Sequence, residues 1–325
     1  MTVNMSEQRK DLISLIIPCY NEEDAIPLLY PELVKISEQM NYVDFEFIMV
    51  DNCSEDRTLE LMKELHEKDS RVHYISFSRN FGKEASMYAG LQAAKGDYAT
   101  IMDADLQDPP ALLPQMYQAV SQEGYDCAAT YRKNRKGEPF LRSKMAEVFY
   151  RVMGHISSAQ MKSGARDYRL MSRQMVKAVL SLEESERFSK GIFGWVGFKT
   201  KWIAFENVER SAGKTKLPFW SAFTYALRGI VSFSTVPLAA SSMMGILCCI
   251  AAAVYAVYVI VKQLITAEAV AGYPSLVCLI LFMGGIQLLM IGVLGQYMAQ
   301  IYLEIKKRPK YIIRETDTNR ETNLQ

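Results

Sequence analysis

Over its first two hundred residues the chain alternates short apolar runs with longer segments that carry a helical stripe. The runs "LISLIIP" (12–18), "FEFIMVD" (45–51), "VHYISF" (72–77) and "YATIMD" (98–103) are rich in β-branched and aromatic residues and are bounded by polar or turn residues. That pattern predicts buried strands. Between them, "NEEDAIPLLYPELVKISEQM", "SEDRTLELMKELHEK" and "KEASMYAGLQAAKG" have helical spacing. In the second, Leu59, Leu61, Met62 and Leu65 form one apolar stripe, with Ser54 the expected N-cap. Gly96 is the expected C-cap of the third. Strand–helix alternation predicts a doubly wound, mostly parallel α/β sheet of Rossmann type. Ligands of such sheets lie beyond the carboxyl ends of the strands.

The pattern changes after residue 228. No Asp, Glu, Lys or Arg occurs between Arg228 and Lys262, or between Glu268 and Glu304. A bilayer core takes about 20 apolar residues as helix, so the sequence predicts transmembrane helices near 236–261 and 274–301. Lys214, Lys216 and Arg228 precede the pair, and Lys306, Lys307, Arg308 and Lys310 follow it. The positive-inside rule then predicts a two-span protein of the inner or plasma membrane, with the N-terminal domain and both termini cytoplasmic. In "LPFWSAFTYALRGIVSF" (217–233), Phe219, Phe223, Leu227, Ile230 and Val231 recur at helical spacing, with Trp220 and Tyr225 suited to the headgroup layer. This predicts an interfacial amphipathic helix. The expected division is a polar N-terminal tail (1–10), an α/β domain (11–210), an interfacial segment (211–234), a two-helix hairpin (235–302) and a C-terminal tail (303–325).

Composition narrows the chemistry. With 37 basic and 36 acidic residues the net charge is +1, which argues against a nucleic-acid partner. The six cysteines show no CxxC or CxxH spacing, so a reducing compartment is expected. The N-terminal "MTVNMSEQRKDL" lacks the apolar core of a signal peptide. Only three histidines occur, and His66, among charged helix residues, is expected to be solvated. No GxGxxG follows a strand, and Val208 stands where a P-loop ending in Gly213-Lys214-Thr215 would need glycine.

Carboxylates remain. In "IMDADLQDPP" (101–110), Asp103 and Asp105 flank one small residue at the end of a strand. Their mutual repulsion calls for a cation between them. Oxygen ligands suit Mg²⁺ or Mn²⁺, which would recruit a diphosphate and stabilise its departure. A bare DxD is otherwise a turn or a cap, and Asp108 before Pro109 and Pro110 is expected to be a cap. Asp51, ending an earlier strand, strengthens the reading of a site. Between 132 and 144 lie Arg132, Lys133, Arg135, Lys136, Arg142 and Lys144 against the single acid Glu138. This run suits either an anionic membrane surface or an ordinary solvated face. Arg132, Arg210 and Lys216 are the preferred phosphate binders.

The ordered segments "IIPCYNEEDAI", "VDNCSEDRT", "SFSRNFGKEASMYAGL", "MDADLQDPP", "SGARDYRLMSR", "RFSKGIFGWVGF" and "ERSAGKTKL" resemble the family 2 glycosyltransferases, which have the GT-A fold. Within them the chain resembles the polyprenyl-phosphate glycosyltransferases, the group of dolichyl-phosphate mannosyltransferases and bactoprenol glucosyltransferases. The resemblance implies that Pro18, Tyr20, Glu22 and Asp51 line the base and ribose pocket. It implies that Asn80, Gly82 and Lys83 lie beside the nucleotide, with Lys83 near phosphate. Asp103 would contact the donor and share the metal, Asp105 would be the principal metal ligand, and Gln107 would lie close by. Asp167 would act either as the base or as a positioning residue for the sugar, Arg166 and Arg169. The family's usual "VDDGSTD" is here "VDNCSED", which leaves the contact near Asn52 open.

The implied reaction is inverting, metal-dependent transfer of one sugar, expected from UDP-glucose or a related UDP-sugar, to undecaprenyl-type polyprenyl phosphate. GDP-mannose is the rival donor. A processive polysaccharide synthase would carry QxxRW and more spans, and an inactive sensor would lose Asp105. A homo-oligomer is compatible with the sequence. A downstream flippase and a polymer-modifying transferase are implied partners.

Overall fold

The computed structural model describes residues 9–132, 162, 164–206, 231, 234–266 and 272–317. Two compact units result, Met1–Ala222 with Arg308–Gln325, and Phe223–Lys307.

In the first unit, β1 (Leu12–Cys19), β2 (Asp44–Asp51), β3 (Val72–Phe77) and β4 (Tyr98–Ile101) form where the apolar runs predict strands. They alternate with α1 (Ile26–Gln39), α2 (Thr58–Lys68) and α3 (Lys83–Ala93). Next come a 3₁₀ turn at Pro110–Leu112, α4 (Leu113–Ser121), β5 (Cys127–Arg132), β6 (Ala165–Ser172), α5 (Arg173–Ser181), α6 (Ser189–Trp195) and β7 (Thr200–Phe205). Among the described residues eight strands make one sheet in the order β7-β5-β6-β4-β1-β2-β3-β8, where β8 is Ile313–Thr316. The contacts β4–β1, β1–β2, β2–β3 and β5–β7 are parallel. The contacts of β6 with β4 and β5, and of β8 with β3, are antiparallel. The sheet is therefore more mixed than the alternation predicts. β1 sits at the centre with both faces covered, so Ile13, Leu15, Ile16 and Ile17 are all fully buried.

Two expected caps have other roles. Ser54 does not begin α2, whose N-cap is Arg57. Its hydroxyl accepts from Asn21 N (3.0 Å) and so joins the loops after β1 and β2. α3 closes at Ala94 rather than Gly96. A Cβ on Gly96 would lie 2.6 Å from Ser14 Oγ and from Tyr98 O, so glycine is required there by close approach. The Gly96 N–H donates to Ser14 Oγ (2.8 Å), which itself donates to the buried Glu46 (2.5 Å).

The segment beyond residue 303, expected as a tail, is corrected most. The second apolar helix runs to Ile305, and Ile313–Thr316 then adds as an edge strand to β3, pairing Ile75 with Thr316 and Phe77 with Ile313. Tyr311 stacks on Phe77 at 5.0 Å between centroids and donates its hydroxyl proton to Gln92 Oε1 (2.7 Å). Backbone pairing and apolar contact offset the polarity of "IIRET".

The second unit holds α7 (Val236–Thr266) and α8 (Tyr273–Ile305). Val236–Lys262 and Leu279–Ile305 are long and apolar enough to cross a membrane. Their side chains face outward, with Leu281 and Leu288 each 71 % exposed, as lipid-facing helices require and a soluble core does not. Tyr297 donates to the carbonyl of Ser234 (2.7 Å). The predicted interfacial helix (217–233, apart from residue 231), the basic positions 133–144, and Arg210 and Lys216 lie outside the described residues.

Candidate active site

The loops after β1 and β2 are laced together at the carboxyl edge of the sheet. Asn52 N donates to Cys19 O (2.9 Å), Glu55 N to Asn21 Oδ1 (2.8 Å), and Glu22 N to Thr58 Oγ1 (2.8 Å). Asp51 is buried and accepts from Ser54 N (3.0 Å) and Ser76 Oγ (2.7 Å). Each of its oxygens keeps a further lone pair for a ligand N–H. Asn52 accepts from Phe81 N (2.8 Å) and donates Nδ2–H to Asn80 Oδ1 (2.8 Å), which also accepts from Gly82 N (2.9 Å). The donation requires an amide, because an ionised aspartate has only acceptors. This gives the departure at residue 52 a structural reason. Asn21 (φ 54°), Cys53 (φ 60°) and Leu106 (φ 56°) adopt left-handed backbone in the loops after β1, β2 and β4. Such strain persists where surrounding bonds over-determine it.

The Ser78–Gly82 loop delivers Lys83 to the first position of α3, and Gly82 (φ 92°) makes the turn. A cation there opposes the helix dipole; its partners account for it. Lys83 Nζ lies 2.6 Å from Asp103 Oδ1 and 2.8 Å from Asp167 Oδ2. Arg166 lies 3.3 Å from the other Asp103 oxygen and 2.9 Å from Asp108 Oδ1. β6 supplies Arg166 and Asp167, while the loop after β4 supplies Asp103 and Asp108. Asp108 is thus a buried member of this network rather than a cap, and the 3₁₀ turn that follows has no side-chain cap. Burial pushes the Asp108 carboxyl up and Asp103 adds to this, against the opposing pull of Arg166 and Lys83. Burial would also raise Asp167, but Lys83, then Lys190 and Arg169, outweigh it and hold that carboxyl well below the usual range. Burial disfavours the Lys83 ammonium, yet Asp103 and Asp167 hold it above its ordinary range. Asp105 accepts from Gln107 N (3.2 Å), and Gln107 Oε1 accepts from Arg132 (2.8 Å), so the loop after β4 is tied to the end of β5.

The glycosyl transferase family 2 model matches residues 14–180, a stretch containing Asp51, Lys83, Asp103, Asp105, Arg132 and Asp167. The chain belongs to glycosyl transferase family 2. It is 41 % identical over 302 residues to the prophage bactoprenol glucosyl transferase homolog of Escherichia coli K12, covering 93 % of this chain and 98 % of the relative. It is 40 % identical over 304 residues to the bactoprenol glucosyl transferase of Shigella phage SfII, covering 94 % and 98 %. Mannosyl-3-phosphoglycerate synthase from Rubrobacter xylanophilus superposes with a TM-score of 0.46 at 18 % identity, over 68 % of this chain and 73 % of that one. The α/β domain is the GT-A fold of the family.

In this family 2 glycosyltransferase, the expected site residues gather unequally. Asp103, Lys83 and Asp167 meet directly, Asp105, Gln107 and Arg132 adjoin them through the loop after β4, and Asn80 is joined to Asp51's neighbour Asn52. Pro18 is the penultimate residue of β1, with Tyr20 and Glu22 in the loop beyond it. Sequence reasoning gave Arg166 only a subordinate place, although its neighbour in "ARDYR" was a candidate. It missed Lys190 altogether. The link that sets Lys190 near the cluster is long-range: Ser189 N donates to Glu84 (3.0 Å), and Ser189 Oγ donates to the same carboxylate. No local pattern signals that bond.

Proposed function

We propose that this protein transfers one sugar, with inversion, from a nucleotide-diphospho-sugar to a polyprenyl phosphate at the cytoplasmic membrane face. UDP-glucose is the preferred donor, in keeping with relatives named bactoprenol glucosyl transferase. The observation that carries the reading is the cluster in which Lys83 bridges Asp103 and Asp167 at the carboxyl ends of the strands. It combines cations for a diphosphate with carboxylates for a sugar and a metal.

A phosphate oxygen of the acceptor attacks the anomeric carbon opposite the leaving group. The new carbon–oxygen bond forms as the bond to the nucleoside diphosphate breaks, and the diphosphate leaves with the electron pair. Asp105 and Asp103 would hold the metal, Asp105 as principal ligand by its place in the family pattern and Asp103 as a shared one whose oxygens also face Lys83 and Arg166. The all-oxygen donor set fits Mg²⁺ or Mn²⁺, which when bound supplies positive charge to the departing diphosphate. Lys83 adds its own charge there, and Arg132 meets the acceptor phosphate beside Gln107. An ionised phosphate has no proton that must be removed before attack. A carboxylate held as low as Asp167 is also a weak base at neutral pH. Asp167 therefore positions Lys83 and the sugar and does not act as general base. The apolar helices anchor the enzyme where the lipid acceptor lies, with the sheet domain and both ends of the chain cytoplasmic.

The test is to incubate the full-length protein in bilayers with polyprenyl phosphate and a panel of radiolabelled nucleotide sugars. Label entering lipid from UDP-glucose supports the reading. Label from GDP-mannose alone would replace the donor, and no labelled lipid with any donor would overturn the reaction class.

A further inference from the structure

A second cluster lies on the far edge of the sheet, where β8 joins β3. Asp317 follows β8, and its side chain is only 3 % exposed. Its Oδ1 accepts from Tyr74 N (3.0 Å), while Oδ2 lies 2.6 Å from His73 Nδ1 and 3.9 Å from His66 Nδ1. One donor atom from each of His66, His73 and Asp317 falls within 4.8 Å of the other two. His66, expected to be solvated, keeps 35 % of its side-chain surface exposed. Its Nδ1 lies 2.6 Å from the carbonyl oxygen of Val72. A carbonyl only accepts, so the proton is on Nδ1, the same His66 nitrogen that lies 3.9 Å from Asp317.

We propose that His66, His73 and Asp317 form a second, structural metal site, selective for a Zn²⁺-class transition metal and distinct from the carboxylate site of catalysis. Two imidazoles and one carboxylate suit Zn²⁺, and completing a tetrahedron takes one water. The hard, oxygen-preferring Mg²⁺ is poorly matched to it. Binding replaces the His73–Asp317 and His66–Val72 contacts: in each ring the proton passes through solvent from Nδ1 to Nε2, and the vacated Nδ1 lone pair goes to the metal. Because β3 carries His73, α2 carries His66 and the chain after β8 carries Asp317, the ion clips the C-terminal strand to the sheet. The strand has its own bonds, including Thr316 Oγ1 to Tyr74 O (3.0 Å) and the Lys63–Glu315 ion pair, so the metal reinforces a docking that exists without it. Any ligand that binds only the docked state stabilises that state.

The test uses full-length protein stripped with a chelator, dialysed, and titrated with Zn²⁺ alone. The expected result is one equivalent bound, a rise in melting temperature, and slower proteolysis beyond residue 308. Mg²⁺ at the same concentration should produce none of these. His66→Ala leaves the His73–Asp317 contact and the β3–β8 ladder intact, so it should weaken Zn²⁺ binding by about tenfold or more while β8 stays docked. Asp317→Asn should also weaken binding. Transferase activity with Mg²⁺ should be unchanged in His66→Ala, which separates this site from the catalytic one. Absence of stoichiometric Zn²⁺ binding, or binding that both variants leave unaltered, would overturn the proposal.

Discussion

Two charged clusters sit on one sheet and differ in what holds them. At the carboxyl ends of β1, β2 and β4, almost every group stands where local physics disfavours it. Lys83 opposes a helix dipole, Asp108 is buried, and Leu106 has left-handed backbone. Only the mutual contacts of Lys83, Arg166, Asp103, Asp108 and Asp167 make the set stable. At the β3–β8 edge, the ladder docks the strand, and Lys63–Glu315 and His73–Asp317 add to it. The first cluster carries local cost in the loops at the strand ends, as sites for chemistry do; the second fastens one segment to another. Variants in the first should remove transfer, whereas variants in the second should loosen the C-terminal strand and leave transfer alone.

The largest expected effect is that of Asp105→Ala. Removing the principal metal ligand should cost about 4 kcal/mol of transition-state stabilisation, roughly a thousandfold in rate. Initial rates of labelled-lipid formation would show it, and the circular dichroism spectrum should be unchanged. Arg166→Ala comes next and acts on the fold itself. Leaving Asp108 buried without Arg166 should cost about 3–5 kcal/mol of stability, read as a lower denaturation midpoint. An unchanged midpoint would remove Asp108 from the network. Lys83→Ala should lower kcat about a hundredfold by removing charge from the diphosphate. It should also raise the Asp167 carboxyl. In the intact protein that carboxyl is depressed, so its ion pairs contribute stability above the ordinary aspartate pKa of about 3.9, and the contribution is lost as pH falls through the lower folded value. The pH–rate profile should accordingly show no limb from Asp167 between about pH 5 and 8.

Asn52→Asp should have the smallest effect. It loses the donor to Asn80 and should raise the donor KM by about tenfold, near 1.4 kcal/mol, with kcat little changed. A kcat effect equal to that of Lys83→Ala would mean the loop does more than position the donor.

Much of this was legible from pattern. β1 to β4 are apolar runs bounded by turns, and a strand-end rule applied to them selects Asp51, Asn80, Asp103 and Asp105. The two long apolar helices were legible because charge is absent for longer than a bilayer is thick. β6 was not legible: "ARDYRLMS" looks hydrophilic because Arg166, Asp167 and Arg169 find their partners within the fold. β8 was hidden for a related reason, since an edge strand of four residues needs little apolar surface when its ladder and Tyr311 hold it. Ser54 and Asp108 were misread because capping is a local rule, and their partners, Asn21 and Arg166, are more than thirty and more than fifty residues away.

The central claim is that the acceptor is a lipid phosphate rather than a hydroxyl. Its most direct test compares polyprenyl phosphate with the same polyprenol lacking phosphate, using the full-length enzyme in bilayers with Mg²⁺ and labelled UDP-glucose. The account predicts labelled lipid only with the phosphate, as a monophosphosugar of inverted anomeric configuration. Equal labelling of the phosphate-free polyprenol would contradict it.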